Sequence, residues 1–168
     1  SFFICVLHYN ISEVLIMKKI YTYMPLKEKH KKLLESSSSN CEFIHLGQIK
    51  PSLEQVKDAN VIIGNIPVDI LKNIPNLEFV QLNSAGTNGY SDNPDFPKNV
   101  LLANATGAYG VAISECILAG ILTLLKHIPS YIKNQSNHDW KDEGSVESIY
   151  NSNILVLGLG DIGKEIGR

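Results

Sequence analysis

This sequence is poor in cysteine, has no large excess of acidic or basic residues, and lacks metal-binding motifs. The 168 residues contain three cysteines, Cys5, Cys41 and Cys116, and no CxxC pair. A disulfide framework is therefore excluded, and a reducing, cytoplasmic compartment is expected. Lys and Arg number 15 against 17 Asp and Glu. Because the chain is close to neutral overall, its charge argues against a nucleic-acid or anionic-membrane partner. No HExxH, HxxxH or Cys/His cluster is present, so no metal site is predicted.

Hydrolase motifs and long apolar runs are lacking as well. No GxSxG elbow occurs, so a serine-hydrolase triad has no anchor. The first sixteen residues are apolar, but polar residues interrupt them and they lack the basic start and cleavage site of a signal peptide. They are also shorter than the roughly 20 residues of a membrane span. We interpret residues 1–16 as an upstream extension before Met17, and an additional strand or a terminal tail is the alternative.

What the sequence does contain is a globular proportion of apolar residues, 44%, in alternating strand-like and helix-like segments. The predicted strands are 19–24, 42–46, 60–65, 77–82 and 100–105, and the predicted helices are 27–36, 52–59 and 68–74. These strands are largely apolar, as expected in a sheet that is covered on both faces. The fold class is therefore α/β, with a parallel sheet in residues 17–105. Residues 88–99 are predicted to form a loop.

A long amphipathic helix is predicted over residues 111–133, where apolar residues recur every three or four positions. Pro129 is a point at which this helix could end early or kink. The helix either joins two domains or packs across a dimer, or it is the core helix of a single domain. The sequence leaves these alternatives open. A polar link then leads to a predicted strand at 153–157.

Three glycines follow that strand directly and precede a helix-like segment. Gly158, Gly160 and Gly163 form a GxGxxG motif, which in this context is the fingerprint of a dinucleotide-binding loop. The first glycine permits a tight turn, the second lets the backbone approach a pyrophosphate, and the third brings helix and strand together. A chance glycine turn is the alternative. The acidic residue that distinguishes NAD from NADP is expected about 20 positions further on, beyond Arg168.

A second candidate site is the segment Asn83–Tyr90, at the end of the strand predicted over 77–82. Ligands of parallel α/β sheets bind outside the carboxyl ends of the strands. The small residues Ser84, Ala85 and Gly86 would expose successive backbone N–H groups, which can bind an anion such as a carboxylate. On spacing alone, an ordinary glycine turn is the favoured interpretation.

Three segments follow one another along the chain: LEFVQLNSAGTNGY, NATGAYGVAISECILAGIL and GLGDIG. Taken together and in this order, they resemble the substrate loop, interdomain crossing and cofactor loop of the D-isomer-specific 2-hydroxyacid dehydrogenases. The resemblance implies a flavodoxin-like substrate domain over 17–105. It also implies the truncated start of a Rossmann NAD(P)-binding domain over 106–168. The family includes phosphoglycerate dehydrogenase, glyoxylate/hydroxypyruvate reductase and D-lactate dehydrogenase, and its members are usually dimers.

The resemblance also implies roles for individual residues. The N–H groups of Ala85 and Gly86 would bind the substrate carboxylate. The pyrophosphate of NAD, or of NADP, would be lined by Gly158, Gly160, Asp161, Ile162 and Gly163. The family's catalytic Arg, Glu and His have no counterpart in this chain, so no catalytic residue is assigned and the isolated chain is expected to be inactive. Asn88 and the pair Tyr90-Ser91 depart from the family pattern, which blurs the subfamily.

The full-length parent is accordingly expected to be an NAD(P)-dependent oxidoreductase that acts on the CH–OH group of D-2-hydroxy acids. The competing hypothesis is a non-enzymatic flavodoxin-like module that binds a carboxylate ligand, or a partner through its long helix. A methyltransferase that uses the glycine loop for S-adenosylmethionine is disfavoured by the layout of the preceding domain.

Overall fold

The computed structural model describes residues 17–168, so the interpretation of residues 1–16 lies outside the described residues. The chain divides into two compact units, one ending at Thr106 and the other comprising Gly107–Arg168.

The first unit is built on a five-stranded sheet, with a helix after each of the first three strands and no helix between the fourth and the fifth. Its elements are β1 (Lys18–Tyr23), α1 (Glu28–Glu35), β2 (Cys41–His45), α2 (Leu53–Val56), β3 (Val61–Gly64), α3 (Val68–Leu71), β4 (Phe79–Gln81) and β5 (Leu101–Ala103). All neighbouring strands pair in parallel, in the order β2-β1-β3-β4-β5. This is the flavodoxin-like order, so the predicted parallel α/β sheet is confirmed.

The two faces of the sheet carry separate apolar clusters because successive side chains of a strand point to opposite faces. On one face, Tyr21, Ile62 and Val80 lie in register on neighbouring strands and pack in a cluster with residues of α2 and α3. On the other face, Ile20 and Ile63 pack with Leu34 of α1. Helices therefore cover both faces, which explains why the strands are apolar throughout.

Two of the helices are shorter than predicted. The helix predicted over 68–74 ends at Leu71. Ile74 directly precedes Pro75, and a residue before proline disfavours the helical conformation. The helix predicted over 52–59 covers only Leu53–Val56. It begins as predicted after Ser52, whose N–H donates to Gln55 Oε1 at 2.9 Å.

The second unit contains α4 (Gly110–Leu125), α5 (Ile128–Ser136) and α6 (Asp161–Ile166). The segment predicted as one helix over 111–133 forms two, α4 and α5, which are bent by 66° at a break between them. The break lies just before Pro129, the residue at which the sequence indicated an early end or a kink. His127 takes a left-handed conformation there, with φ of 54°. Pro129 lies in the first turn of α5, where its missing N–H is tolerated. None of the described helices could cross a membrane alone; only α4 and α5 counted together reach the required length and apolarity.

The strand predicted at 153–157 is wrong, since no strand is formed within residues 107–168. A segment becomes a strand of a sheet by exchanging backbone hydrogen bonds with a neighbouring segment. No segment of the second unit pairs with residues 153–157 in this way. Its apolar side chains consequently lie in solvent, with Leu155 exposed by 83% and Leu157 by 89%. The segment nevertheless leads into α6, which packs against α4.

Candidate functional site

The first candidate site is the loop that follows β4, at the carboxyl edge of the sheet. Residues 83–90 leave the sheet directly after the β4 strand, beside the segment that leaves β5. Leu82 N–H still donates to the carbonyl of Ala103 at 2.8 Å, so the two segments are held together as they emerge. This is the edge at which parallel α/β sheets bind their ligands.

Two carbonyl groups in this loop point toward the segment after β5. The carbonyl of Ser84 accepts from the N–H of Ala105 at 2.9 Å, and the carbonyl of Ala85 accepts from Asn104 Nδ2 at 2.7 Å. Within residues 17–168 every peptide bond is trans, and in a planar trans peptide the N–H points opposite to the C=O. The N–H groups of Ala85 and Gly86 therefore both point away from that segment.

These two N–H groups are available to a ligand. No hydrogen bond from either of them is formed within the described part of the chain, and both residues are exposed. A Cβ built on Gly86 would meet no atom within 4 Å, so the space beside the loop is open. Neighbouring N–H groups that share a direction form a concavity suited to an anion. An anion could therefore approach the N–H groups of Ala85 and Gly86 from this side, and their role as its donors stays a prediction.

A second asparagine, Asn65, holds the same loop from the side of β3. Its Oδ1 accepts from the N–H of Asn83 at 2.9 Å, and its Nδ2 donates to Ser84 Oγ at 3.0 Å. Ser84 Oγ in turn donates to the carbonyl of Gly86 at 2.8 Å. Sequence analysis assigns no role to Asn65 or Asn104, although Asn104 is the first residue of the segment NATGAYGVAISECILAGIL. In the structure each of them directly follows a strand of the parallel sheet.

The far end of the loop is anchored by Tyr90, one of the departures from the family pattern. Its half-buried side chain packs against the main core cluster. Burial raises the pKa of Tyr90, and the nearby Tyr23 adds a smaller effect in the same direction. The N–H groups of Tyr90 and Ser91 donate to the carbonyl of Thr87 at 3.0 and 3.1 Å. The aromatic residue therefore helps to close the loop onto the core.

The glycine loop before α6 is the second candidate site. Gly158 has a φ of 99°, a conformation that side chains rarely tolerate. Gly160 is the residue that caps α6. A Cβ built on Gly163 would lie well inside 3.0 Å of the carbonyl oxygen of Gly158 and 3.4 Å from Val156 Cγ1. The first and third glycines of the motif are thus both required by the local backbone.

The space and donors of this loop fit a dinucleotide pyrophosphate. A Cβ built on Gly160 would meet no atom within 4 Å, which leaves room for a phosphate against the backbone. Within residues 17–168, no hydrogen bond is donated by the N–H groups of Asp161, Ile162 or Gly163. Such unsatisfied donors, with the positive end of the helix dipole, favour an anion. No group of side chains among the described residues could hold a metal ion.

The most strongly perturbed titratable group lies away from both loops. Tyr21 donates from its hydroxyl to Asp58 Oδ1 at 2.6 Å, and Lys19 also bonds to Asp58. Burial raises the pKa of Tyr21 to about 12, and the bond to Asp58 adds to that shift. The bonds from Lys19 and Tyr21 lower the pKa of Asp58. This cluster joins β1 to the end of α2 and is structural.

Two curated relatives were found, both with low identity to the chain. The D-3-phosphoglycerate dehydrogenase of Methanocaldococcus jannaschii is 24% identical over 157 residues, which cover 89% of this chain and 29% of the relative. A glyoxylate/hydroxypyruvate reductase of Arabidopsis thaliana is 22% identical over 115 residues, 66% of this chain and 36% of the relative. The chain thus spans about a third of the length of these proteins. No protein-family model matches it.

Solved structures are similar over most of the chain. A D-isomer-specific 2-hydroxyacid dehydrogenase family protein from Aeromonas salmonicida has a TM-score of 0.78 at 18% identity, and the match covers 90% of this chain and 49% of that one. The D-lactate dehydrogenase of Aquifex aeolicus, complexed with NAD and lactic acid, has a TM-score of 0.69 at 15% identity, covering 89% and 46%.

The fold is that of a 2-hydroxyacid dehydrogenase. Relatives and structural neighbours consistently carry names from that family, over about 90% of this chain for most of them, which agrees with the resemblance seen in the sequence. One further neighbour is an NADPH-dependent glyoxylate/hydroxypyruvate reductase from Sinorhizobium meliloti in complex with NADP and sulfate. Its TM-score is 0.66 at 18% identity, and the match covers 89% of this chain and 48% of that one. Neighbours of this dehydrogenase fold therefore bind a nicotinamide cofactor, NAD in some and NADP in others.

Proposed function

We propose that this chain is part of an NAD(P)-dependent oxidoreductase that acts on the CH–OH group of D-2-hydroxy acids. The observation that carries the proposal is the pair of N–H groups on Ala85 and Gly86, which share one direction at the carboxyl edge of the sheet. A carboxylate is common to all 2-hydroxy and 2-keto acids, and paired backbone N–H groups suit it. The family resemblance of the glycine loop supports the cofactor.

The chain's own residues would bind and orient. The N–H groups of Ala85 and Gly86 would hold the substrate carboxylate. The N–H groups at the start of α6, with the open backbone at Gly160, would hold the cofactor pyrophosphate. When bound, the nicotinamide group accepts or donates the hydride. In the family, a His held by a Glu would donate or accept the proton, and an Arg would polarise the keto oxygen and bind the carboxylate. None of these three residues has a matching position in this sequence.

The 168-residue chain should therefore be inactive by itself. The test is spectrophotometric: the purified chain is mixed with NADH or NADPH and with pyruvate, glyoxylate or hydroxypyruvate, and absorbance at the nicotinamide band is followed. We expect no oxidation above the protein-free control. Oxidation that rises in proportion to chain concentration would contradict the assignment of the catalytic residues outside this chain.

The parent activity is tested by reading the gene beyond Arg168 and expressing the complete reading frame. We expect an acidic residue about 20 positions after the glycine loop, followed by Arg, Glu and His, and oxidation of NADH or NADPH with at least one of the three keto acids. A stop codon directly after Arg168, or a complete protein inactive on all three, would favour the non-enzymatic binding module.

Location and assembly follow the same resemblance. We propose a cytoplasmic protein, because three cysteines without a CxxC pair suit a reducing compartment. We also propose that the complete protein is a homodimer, as is usual in the family. Light scattering of the complete protein should give twice the mass of one chain, and a monomer at micromolar concentration would contradict the second proposal.

A further inference from the structure

Asn104 is the side chain that sets the direction of one of the two proposed anion donors. Its Nδ2 donates to the carbonyl of Ala85 at 2.7 Å, and that carbonyl belongs to the same peptide unit as the N–H of Gly86. Because the unit is planar and trans, holding the oxygen also holds the N–H on the opposite side. The other donor, the N–H of Ala85, is oriented by a main-chain bond from Ala105 to Ser84.

Asn104 is itself held at both ends of its amide. Its Oδ1 accepts from the N–H of Thr106 at 3.3 Å, and the residue is half-buried directly after β5. Asn65 acts elsewhere in the loop, on Asn83 and on Ser84 Oγ. Among the residues 17–168, Asn104 is thus the one side chain bonded to the peptide unit that carries the Gly86 donor.

We propose that Asn104 is a positioning residue for the substrate carboxylate: it aligns the Gly86 N–H with the Ala85 N–H before the ligand arrives. The inference rests on the proposed function, since it presupposes that these two donors bind a carboxylate. Without the Asn104 amide, the Ala85–Gly86 peptide unit could rotate and would have to be ordered by the ligand itself. That ordering weakens binding without removing any donor.

The structure offers a matched control in Asn60, which precedes β3 at the opposite edge of the sheet. Asn60 Oδ1 accepts from the N–H of Lys19 at 3.0 Å, and its Nδ2 donates to the carbonyl of Asn76 at 3.2 Å. Asn60 and Asn104 therefore make the same two kinds of hydrogen bond, and both are half-buried. Asn60→Ala removes an equal number of bonds from the unit without touching the loop after β4.

The experiment is an NMR titration of the 168-residue chain, labelled with ¹⁵N, with sodium pyruvate and with the neutral ester methyl pyruvate. In the unchanged chain, pyruvate should shift the amide resonances of Ala85 and Gly86, and the ester should not. In Asn104→Ala we expect the dissociation constant for pyruvate to rise roughly 3- to 10-fold, the range expected when one group must be ordered on binding. Before any pyruvate is added, the amide resonance of Gly86 in Asn104→Ala should already differ from that in the unchanged chain. Asn60→Ala should bind pyruvate like the unchanged chain.

The outcomes separate the two proposals. If pyruvate shifts Ala85 and Gly86 equally in the unchanged chain and in Asn104→Ala, the role of Asn104 is refuted and the carboxylate site stands. If pyruvate does not shift these resonances in the unchanged chain, the proposed site is wrong and the inference falls with it.

A second variant and a second readout guard against loss of the fold. Asn104→Leu keeps a side chain branched at Cγ without the donor, and it should weaken pyruvate binding to the same extent as Asn104→Ala. If both variants unfold, titration of the unchanged chain still tests the role of Asn104. Pyruvate should then shift the Asn104 side-chain amide together with Gly86, and an unmoved Asn104 amide would overturn the inference.

Discussion

Replacing Gly163 with alanine should disrupt the glycine loop by a steric clash inside the protein. A Cβ at this position would lie well inside 3.0 Å of the carbonyl oxygen of Gly158 and 3.1 Å from its carbon. Both are backbone atoms, so the strain cannot be relieved by rotating a side chain. The substitution must move α6 relative to the loop, and α6 packs against α4.

The magnitude follows from two opposing effects. Overpacking costs about 1–3 kcal/mol, and a clash with backbone belongs at the upper end of that range. Alanine in a helix is more favourable than glycine by about 1 kcal/mol, which offsets part of the cost. The net destabilisation of α6 should therefore be about 2 kcal/mol, or roughly 30-fold in the equilibrium for opening of the helix.

Hydrogen–deuterium exchange of the 168-residue chain, resolved by peptide, measures this opening. Gly160→Ala is the matched control, because a Cβ on Gly160 would meet no atom within 4 Å. As a change at the helix cap it should cost less than about 1 kcal/mol. Exchange in residues 161–168 should be markedly faster in Gly163→Ala than in Gly160→Ala. Equal exchange in the two variants would refute the close-packing role of the third glycine.

Three further outcomes are expected. Spectrophotometric titration should place the pKa of Tyr21 at about 12 in the folded chain and closer to its ordinary value in Asp58→Asn. Because folding raises this pKa, its contribution to stability is present below about pH 10 and is lost as the pH rises through about 12. An unchanged Tyr21 pKa in Asp58→Asn would show that the hydrogen bond to Asp58 has no effect on it. Urea unfolding should show that Leu82→Ala lowers the free energy of unfolding by about 2–5 kcal/mol, because the Leu82 side chain is fully buried. The control Leu33→Ala, at an exposed position, should lower it by about 0.5 kcal/mol or less. Similar losses in the two variants would contradict the assigned core. Limited digestion with thermolysin should cut the chain first within residues 150–160, because no strand is formed there and apolar side chains are exposed. A first cut within the sheet of the first unit would contradict this prediction.

Much of the first unit was predictable because its signals are local. Apolar runs of strand length, the first three each followed by a helical pattern, specify a parallel sheet with both faces covered, and the five strands lie where the runs predict them. Helix ends were less predictable. The end of α3 at Leu71 reflects Pro75, a local signal that the apolar pattern through Ile74 conceals.

Errors in the second unit arose where a local pattern needs a partner. Residues 153–157 are apolar enough for a strand, but a strand requires hydrogen bonds from a neighbour, and within residues 107–168 none supplies them. The periodicity across 111–133 continues through a bend, because it records which side chains are apolar and does not record the left-handed backbone at His127.

The type of fold and the position of the two loops can be read from the amino-acid sequence, since glycine spacing and the order of elements are properties of neighbouring residues. The family resemblance rests on the same order. Which groups meet at the loop after β4 depends on the tertiary structure. Asn65 and Asn104 lie 18 or more positions from the atoms that they hold, Asn83 N and the carbonyl of Ala85. Parallel strand pairing brings these distant segments to one edge, and planar peptide geometry then directs the N–H groups of Ala85 and Gly86 to one side.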